Sequence, residues 1–172
     1  DKNWVIQAHS TGVFLQMEKI SEAIKSNFPE YCETIYCKSS GTLPNNGTDY
    51  FLFGNKAEAV AKENNILFSV NWVEGQKTGF FLDQRENRKL LGEFSKGKKV
   101  LNTFCYTGGF SIYAMSAGAE LVTSVDISQK ALGSASKNIS RITKNFKTVE
   151  LDVIDSFNSM TEKFAISAEF LD

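Results

Sequence analysis

The sequence has few of the residues that build metal sites, disulfide frameworks and histidine-dependent catalytic sites. Its three cysteines, Cys32, Cys37 and Cys105, have neither disulfide-framework nor zinc-site spacing. His9 is the single histidine, and because it belongs to no catalytic constellation, a structural role is favoured. The sequence also contains no signal peptide and no long apolar run, which predicts a cytoplasmic protein.

The chain also lacks an excess of charge of either sign. A net charge of −1 over 172 residues excludes a global basic field of the kind that attracts nucleic acid. Any RNA contact would therefore use local lysine-rich patches, such as residues 96–99 and 137–147. On charge alone, solvated surface is the favoured interpretation of these lysines.

What the sequence does contain is a strand, a glycine turn and a helix in succession, over residues 100–118. An apolar run ends at a polar turn, Gly108 and Gly109 follow, and the helical pattern ends at Gly118. This order is typical of a site where a nucleotide lies against bare backbone beside a helix N-terminus. Asp126 closes the next apolar run, where a carboxylate can accept hydrogen bonds from ribose hydroxyls.

A third predicted strand, residues 149–153, carries Asp152 near its end. Asp152 could accept a hydrogen bond from an adenine amino group, with Ile127 or Val153 against the ring face. Dinucleotide sites need a third spaced glycine that is missing here, which favours S-adenosylmethionine (SAM) over NAD. The alternative is that Asp126 and Asp152 only cap the helices that follow their strands.

The chain before this region predicts a small α+β domain over residues 1–73, with one helix on a mostly antiparallel sheet. The helix covers the apolar positions from Val13 to Phe28 and stops at Pro29. Asn64 and Asn65 predict the tight turn of a hairpin. The predicted strands cover residues 4–9, 32–37, 50–53, 57–62 and 66–72.

The sequence of residues 74–98 predicts a segment that joins the two domains and ends in a helix. Asp83 and Glu86 have the spacing of an acidic capping box. Leu90, Leu91 and Phe94 are the expected buried face. The polar, cationic loop at residues 76–78 could hold a zwitterionic ligand, or it could be an ordinary interdomain turn.

Residues 71–88 and 102–111 together resemble the class I SAM-dependent methyltransferases of the rRNA large subunit methyltransferase I family. The resemblance implies an α/β fold, with a Rossmann-like SAM-binding domain over residues 99–172 that is incomplete here, preceded by the small α+β domain. It implies SAM as cofactor and RNA, 23S rRNA in particular, as partner; a homodimer is also expected. Taken with the spacing argument, the expected cofactor-binding residues are Lys77, Thr78, Phe81, Arg85, Phe104, Cys105, Tyr106, Thr107, Gly108, Asp126, Ile127, Asp152 and Val153.

The expected reaction is methylation of a cytosine C5, which requires a thiolate that adds to C6 of the base. Cys105 lies in the glycine turn, under the expected cofactor, so a structural role is predicted for it. No catalytic residue is therefore assigned in this chain, and the chain is expected to be a piece of a larger protein that contains the nucleophile. The alternative function is a non-catalytic RNA- or protein-binding module that keeps the fold.

Overall fold

The computed structural model describes residues 2–43, 45 and 47–150. The chain divides into two compact units. The amino-terminal unit comprises the residues up to Glu63 together with Leu67–Leu82, and the carboxy-terminal unit comprises Asn64–Ile66 together with the chain from Asp83 onward. The domain boundaries drawn from the sequence stay a prediction.

The amino-terminal unit contains two helices and a three-stranded sheet in the order β1-β2-β3. Its elements are β1 (Asn3–Ile6), α1 (Thr11–Phe14), α2 (Met17–Asn27), β2 (Thr34–Lys38) and β3 (Asp49–Phe53). The prediction of one helix differs from the structure, which has two, and the predicted antiparallel sheet is found in part, because β2 pairs with β3 antiparallel. The helical pattern breaks before Met17, and β1 pairs with β2 in parallel because helices connect the two strands.

The predicted hairpin is present as a separate two-stranded sheet of β4 (Glu58–Glu63) and β5 (Ile66–Asn71). Asn64 and Asn65 have φ angles of 47° and 65°, the left-handed conformation that a two-residue hairpin turn needs. In β5, Phe68 and Val70 are buried while Leu67 is exposed, as the alternating pattern predicts.

Among the described residues, the carboxy-terminal unit is an α/β arrangement whose three-stranded sheet is parallel, in the order β6-β7-β8. Ile112, Val122, Val125 and Ile139 are completely buried in it, and the Rossmann-like prediction is confirmed. The predicted strand over residues 164–171 lies outside the described residues. The elements are α3 (Arg85–Ser95), β6 (Lys99–Thr103), α4 (Gly109–Ser116), β7 (Leu121–Asp126), α5 (Gln129–Ile139) and β8 (Phe146–Glu150).

Helix α3 differs from the prediction at its start and on its buried face. Asp83 lies in a 3-10 turn, Leu82–Gln84, and the helix begins without a side-chain cap. Leu90 and Phe94 are 52% and 71% exposed, whereas Arg88, Gly92 and Ser95 are buried. Gly92 faces the end of α4, where a Cβ on this residue would make an ordinary contact of 3.6 Å with the Cβ of Ala117.

Candidate cofactor-binding site

The candidate site lies at the carboxyl edge of the parallel sheet. Thr103 at the end of β6 pairs with Val125 near the end of β7, so the residues that follow leave the sheet side by side. The backbone N–H of Cys105 donates to the carbonyl of Val125 at 2.9 Å, which keeps the turn after β6 against β7. Ligands of open parallel sheets bind at this kind of edge.

The turn over residues 104–108 has an unusual backbone. Phe104, Tyr106 and Gly108 have φ angles of 55°, 48° and 78°, all in the left-handed region. That conformation is disfavoured for the two residues that carry side chains, and such strain tends to cluster at ligand sites. A hydrogen bond from the N–H of Gly108 to the carbonyl of Cys105, at 2.9 Å, closes the turn.

Asp126 connects this turn to the sheet and to the following helix. Its Oδ2 accepts a hydrogen bond from the backbone N–H of Tyr106 at 2.8 Å, and its Oδ1 accepts one from the N–H of Ser128 at 3.0 Å. The capping alternative is thus partly realised, although the N-cap of α5 is Ser128 itself, whose side chain accepts from the N–H of Ala131. Each carboxylate oxygen can accept more than one hydrogen bond, so the same carboxylate can still receive a ribose hydroxyl.

Gly108 is required by packing as well as by its φ angle. A Cβ at this position would lie 3.0 Å from the Cβ and 3.1 Å from the Cα of Ala135 in α5. The bare side of the glycine therefore faces α5, whereas the sequence suggested that it would face a nucleotide. Asn138, also in α5, donates from Nδ2 to the carbonyl of Thr107 at 3.0 Å. The turn is thereby fixed to α5 at two adjacent residues.

Two large apolar side chains remain exposed at this edge of the sheet. Phe104 and Ile127, which directly follow β6 and β7, are each 63% exposed. An apolar side chain beside a partly exposed carboxylate suits a ligand with a flat ring and a hydroxylated sugar, because the ring needs an apolar face and the sugar needs acceptors. The described residues therefore fit an adenosyl group.

Cys105 is 5% exposed. Burial, and then the neighbouring charge of Asp126, raise the pKa of its thiol to about 12. A thiol with so high a pKa is protonated at neutral pH and is a poor nucleophile. These properties support the structural role expected for Cys105.

The raised pKa predicts slow alkylation of Cys105. At pH 8 in folded protein, we expect iodoacetamide to modify Cys105 at least about 100-fold more slowly than the partly exposed Cys32, as measured by peptide mass spectrometry. Because the folded-state pKa of Cys105 is raised above 9.0, its thiol favours folding below about pH 9, and this contribution is lost as pH rises toward 12. After denaturation, the two cysteines should be alkylated at similar rates. Similar alkylation rates in the folded protein would contradict this assignment.

The remaining expected site residues are distributed over the chain. Lys77, Thr78 and Phe81 lie in the amino-terminal unit, where the Lys77 ammonium is 5.0 Å from the centre of the Phe81 ring. Arg85 starts α3 in the other unit and donates to Oδ1 of Asn64 at 3.1 Å. The cofactor roles of these four residues stay predictions. Asp152 and Val153 lie outside the described residues.

A buried polar chain beneath the turn was missed by the sequence analysis. Asn102 in β6 donates from Nδ2 to Oγ of Ser111 in α4 at 2.8 Å. Oγ of Ser111 lies 2.7 Å from Oγ of Ser124 in β7, and both serines are completely buried. These bonds join α4 to both strands that carry the site. Their only signal in the sequence is the presence of polar residues within otherwise apolar segments.

Comparison with known proteins identifies the family. The profile of S-adenosylmethionine-dependent methyltransferases matches residues 44–163. The chain belongs to this family. A ribosomal RNA large subunit methyltransferase I from Pseudoalteromonas atlantica is 36% identical over 171 residues, which cover 96% of the chain and 43% of that relative. The chain thus spans less than half the length of this relative.

Solved structures agree with this assignment. A candidate SAM-dependent methyltransferase from Streptococcus mutans superimposes with a TM-score of 0.81 at 27% identity, covering 95% of the chain and 43% of that protein. A second structure, of a candidate methyltransferase in complex with S-adenosylhomocysteine, gives a TM-score of 0.78 at 28% identity. It also covers 95% of the chain and 43% of that protein. The expected fold class and the expected family cofactor, SAM, are confirmed, whereas the NAD alternative is not supported.

Proposed function

We propose that the protein is a SAM-dependent methyltransferase that modifies large-subunit ribosomal RNA, at C5 of a cytosine in 23S rRNA. The observation that carries the proposal is the carboxylate of Asp126, which fixes the strained turn after β6 and keeps acceptor capacity at the sheet edge. Family membership and the name of the relative from P. atlantica support the cofactor and the RNA substrate. The cytosine C5 position follows from the sequence resemblance.

Within the carboxy-terminal unit, Asp126, Ile127 and the turn over residues 104–108 have distinct proposed roles in cofactor binding. Asp126 accepts hydrogen bonds from the ribose hydroxyls, and Ile127 packs against the adenine ring. The strained turn over residues 104–108 is ordered before the ligand binds, because α5 and β7 both hold it. Preorganisation of this kind lowers the entropy cost of binding. SAM supplies the electrophilic methyl group.

Cytosine C5 is a weak nucleophile until a thiolate adds to C6, so the reaction needs a reactive cysteine. Cys105 does not fit this task, because it is buried and its pKa is raised to about 12. We therefore assign the attacking thiolate to a different residue and name none among the described residues.

Methyl transfer tests this function directly. The full product of the gene is incubated with methyl-labelled SAM and unmodified large-subunit rRNA, and the digested RNA is analysed by mass spectrometry. We expect label in 5-methylcytidine and none when Asp126→Ala replaces the wild type. Label only in protein or in small molecules would contradict the RNA substrate, and absence of any methyl transfer would favour the non-catalytic RNA- or protein-binding module.

The cellular location and the homodimer stay predictions. In the part of the chain that the structure describes, no helix is long and apolar enough to cross a membrane.

A further inference from the structure

A groove in the amino-terminal unit has no assigned role. It consists of a mainly apolar cavity of about 270 Å³ and an adjoining polar cavity of about 490 Å³. Asn3, Ala59 and Val60 line both cavities, so the two are adjacent. The apolar cavity is lined by Val70, Trp72 and Phe80, among other residues. Its volume is near the lower end of small-molecule sites, which suits one small ring system.

Two polar atoms at the apolar end are buried without a hydrogen-bond partner among the residues that the structure describes. They are Nε1 of Trp72, a residue that is 4% exposed, and Oδ1 of Asn3. Leaving such groups unpaired costs about 1–3 kcal/mol each, so native structures rarely keep them without a reason. The other tryptophan, Trp4, donates its Nε1–H to the carbonyl of Tyr31 at 2.7 Å. Both residues line the apolar cavity, so a ligand there would lie next to one unpaired donor and one unpaired acceptor, which it could reach after a small shift of the side chains that cover them.

The polar end carries a net positive charge. Lys2 and Lys56 both approach the single carboxylate of Glu33, with N···O distances of 3.2 and 3.1 Å. Hydrogen bonds from Lys56 and Lys2 lower the pKa of Glu33, so the carboxylate is ionised. Two ammonium groups and one carboxylate leave a charge of +1, and all three side chains remain about half exposed. This end can accept a phosphate group.

We propose that the groove binds one unpaired nucleotide of an RNA strand, with the base in the apolar cavity and a phosphate at Lys2 and Lys56. The proposal rests on RNA as the substrate class of the proposed function. A nucleobase has a flat apolar face together with acceptor and donor atoms on its edge, which match Trp72 Nε1–H and Asn3 Oδ1. An aliphatic side chain would leave both groups unpaired. Proteins that bind single-stranded RNA combine aromatic contacts and cationic backbone contacts in this way.

The indole N–H resonance of Trp72 in a proton–nitrogen correlation spectrum tests the proposal. It is assigned as the peak that is lost in Trp72→Phe. A short unpaired RNA oligonucleotide is titrated into the protein in the presence of saturating S-adenosylhomocysteine, so that adenosine sites elsewhere are filled. We expect the Trp72 resonance to shift with the binding curve.

Variants at both ends of the groove give the expected changes in affinity. Trp72→Phe keeps a ring but removes the donor, and we expect it to weaken RNA binding about 3- to 10-fold, equivalent to one net hydrogen bond. Because the donor is unpaired in the free protein, this variant loses no hydrogen bond in the folded state. Lys56→Gln should weaken binding and reduce its dependence on salt. Lys19→Gln removes the same charge at an exposed position of α2 that lines neither cavity, and it should leave RNA affinity unchanged.

The outcomes separate this proposal from the proposed function. An unmoved Trp72 resonance, or unchanged RNA affinity in Trp72→Phe, overturns the proposal that the groove binds a nucleotide, even if rRNA is methylated. A shifted Trp72 resonance, with the expected loss of RNA affinity in Trp72→Phe, supports nucleotide binding in the groove even if no methyl transfer occurs. Absence of any RNA binding overturns the nucleotide site.

Discussion

Asp126→Ala is expected to weaken S-adenosylhomocysteine binding by at least about 100-fold in isothermal titration calorimetry. A hydrogen bond to a charged group contributes about 1.5–3 kcal/mol, and the proposed ribose contact provides at least one. The substitution also leaves the N–H groups of Tyr106 and Ser128 without their carboxylate acceptor, so the turn keeps only its backbone hydrogen bond from Cys105 to β7. Together these losses amount to about 3 kcal/mol or more, and about 1.4 kcal/mol corresponds to a tenfold change in affinity.

Two further variants identify the origin of that loss. Asp126→Asn keeps one acceptor oxygen and the shape of the side chain, so an intermediate loss is expected. Glu120→Gln neutralises a carboxylate just before the opposite end of β7 and should bind S-adenosylhomocysteine like the wild type. If Asp126→Ala binds within about threefold of the wild type, the carboxylate only shapes the turn and the ribose assignment is wrong.

Gly108→Ala is expected to lower the free energy of unfolding by about 2–5 kcal/mol. The backbone has a φ angle of 78°, and a left-handed conformation costs an L-residue about 1–2 kcal/mol. The added Cβ would also lie 3.1 Å from the backbone of Ala135, and overpacking of this kind costs about 1–3 kcal/mol. Urea denaturation followed by circular dichroism measures the change.

The chain offers a matched control for this substitution in the helix that Gly108 contacts. Gly133 is an exposed residue within α5, and a Cβ there would meet no atom within 4 Å. Because alanine has a higher helix propensity than glycine, Gly133→Ala should raise the free energy of unfolding by about 0.5–1 kcal/mol. The same change thus has opposite signs at two positions. A Gly108→Ala protein as stable as the wild type would show that the turn does not pack against α5 as described.

The order of elements in the carboxy-terminal unit was predictable because local signals agree with one another. Ser128 caps α5, Gly118 ends α4 with a φ angle of 93°, and the apolar runs between them are strands. The buried face of α3 was not predictable from periodicity. Leu90 and Phe94 fit the apolar pattern, but the face with Arg88, Gly92 and Ser95 is the buried one, and that depends on the partner helix.

The candidate site shows the same division between local and tertiary signals. Asp126 could be selected from the sequence because it closes an apolar run, and the structure places it beside the turn after β6. The sequence could not show why a glycine is needed at position 108 or that Asn138 anchors the turn, because both depend on where α5 packs. The unpaired Trp72 indole is likewise visible only in three dimensions.

A crystal structure of the protein with S-adenosylhomocysteine is the most direct test of the central claim, which is that an adenosyl group binds at the carboxyl edge of β6 and β7. We predict ribose oxygens within hydrogen-bonding distance of the Asp126 carboxylate and the adenine ring against Ile127. An adenosyl group bound elsewhere, with Phe104 and Ile127 still exposed to solvent, would contradict the claim.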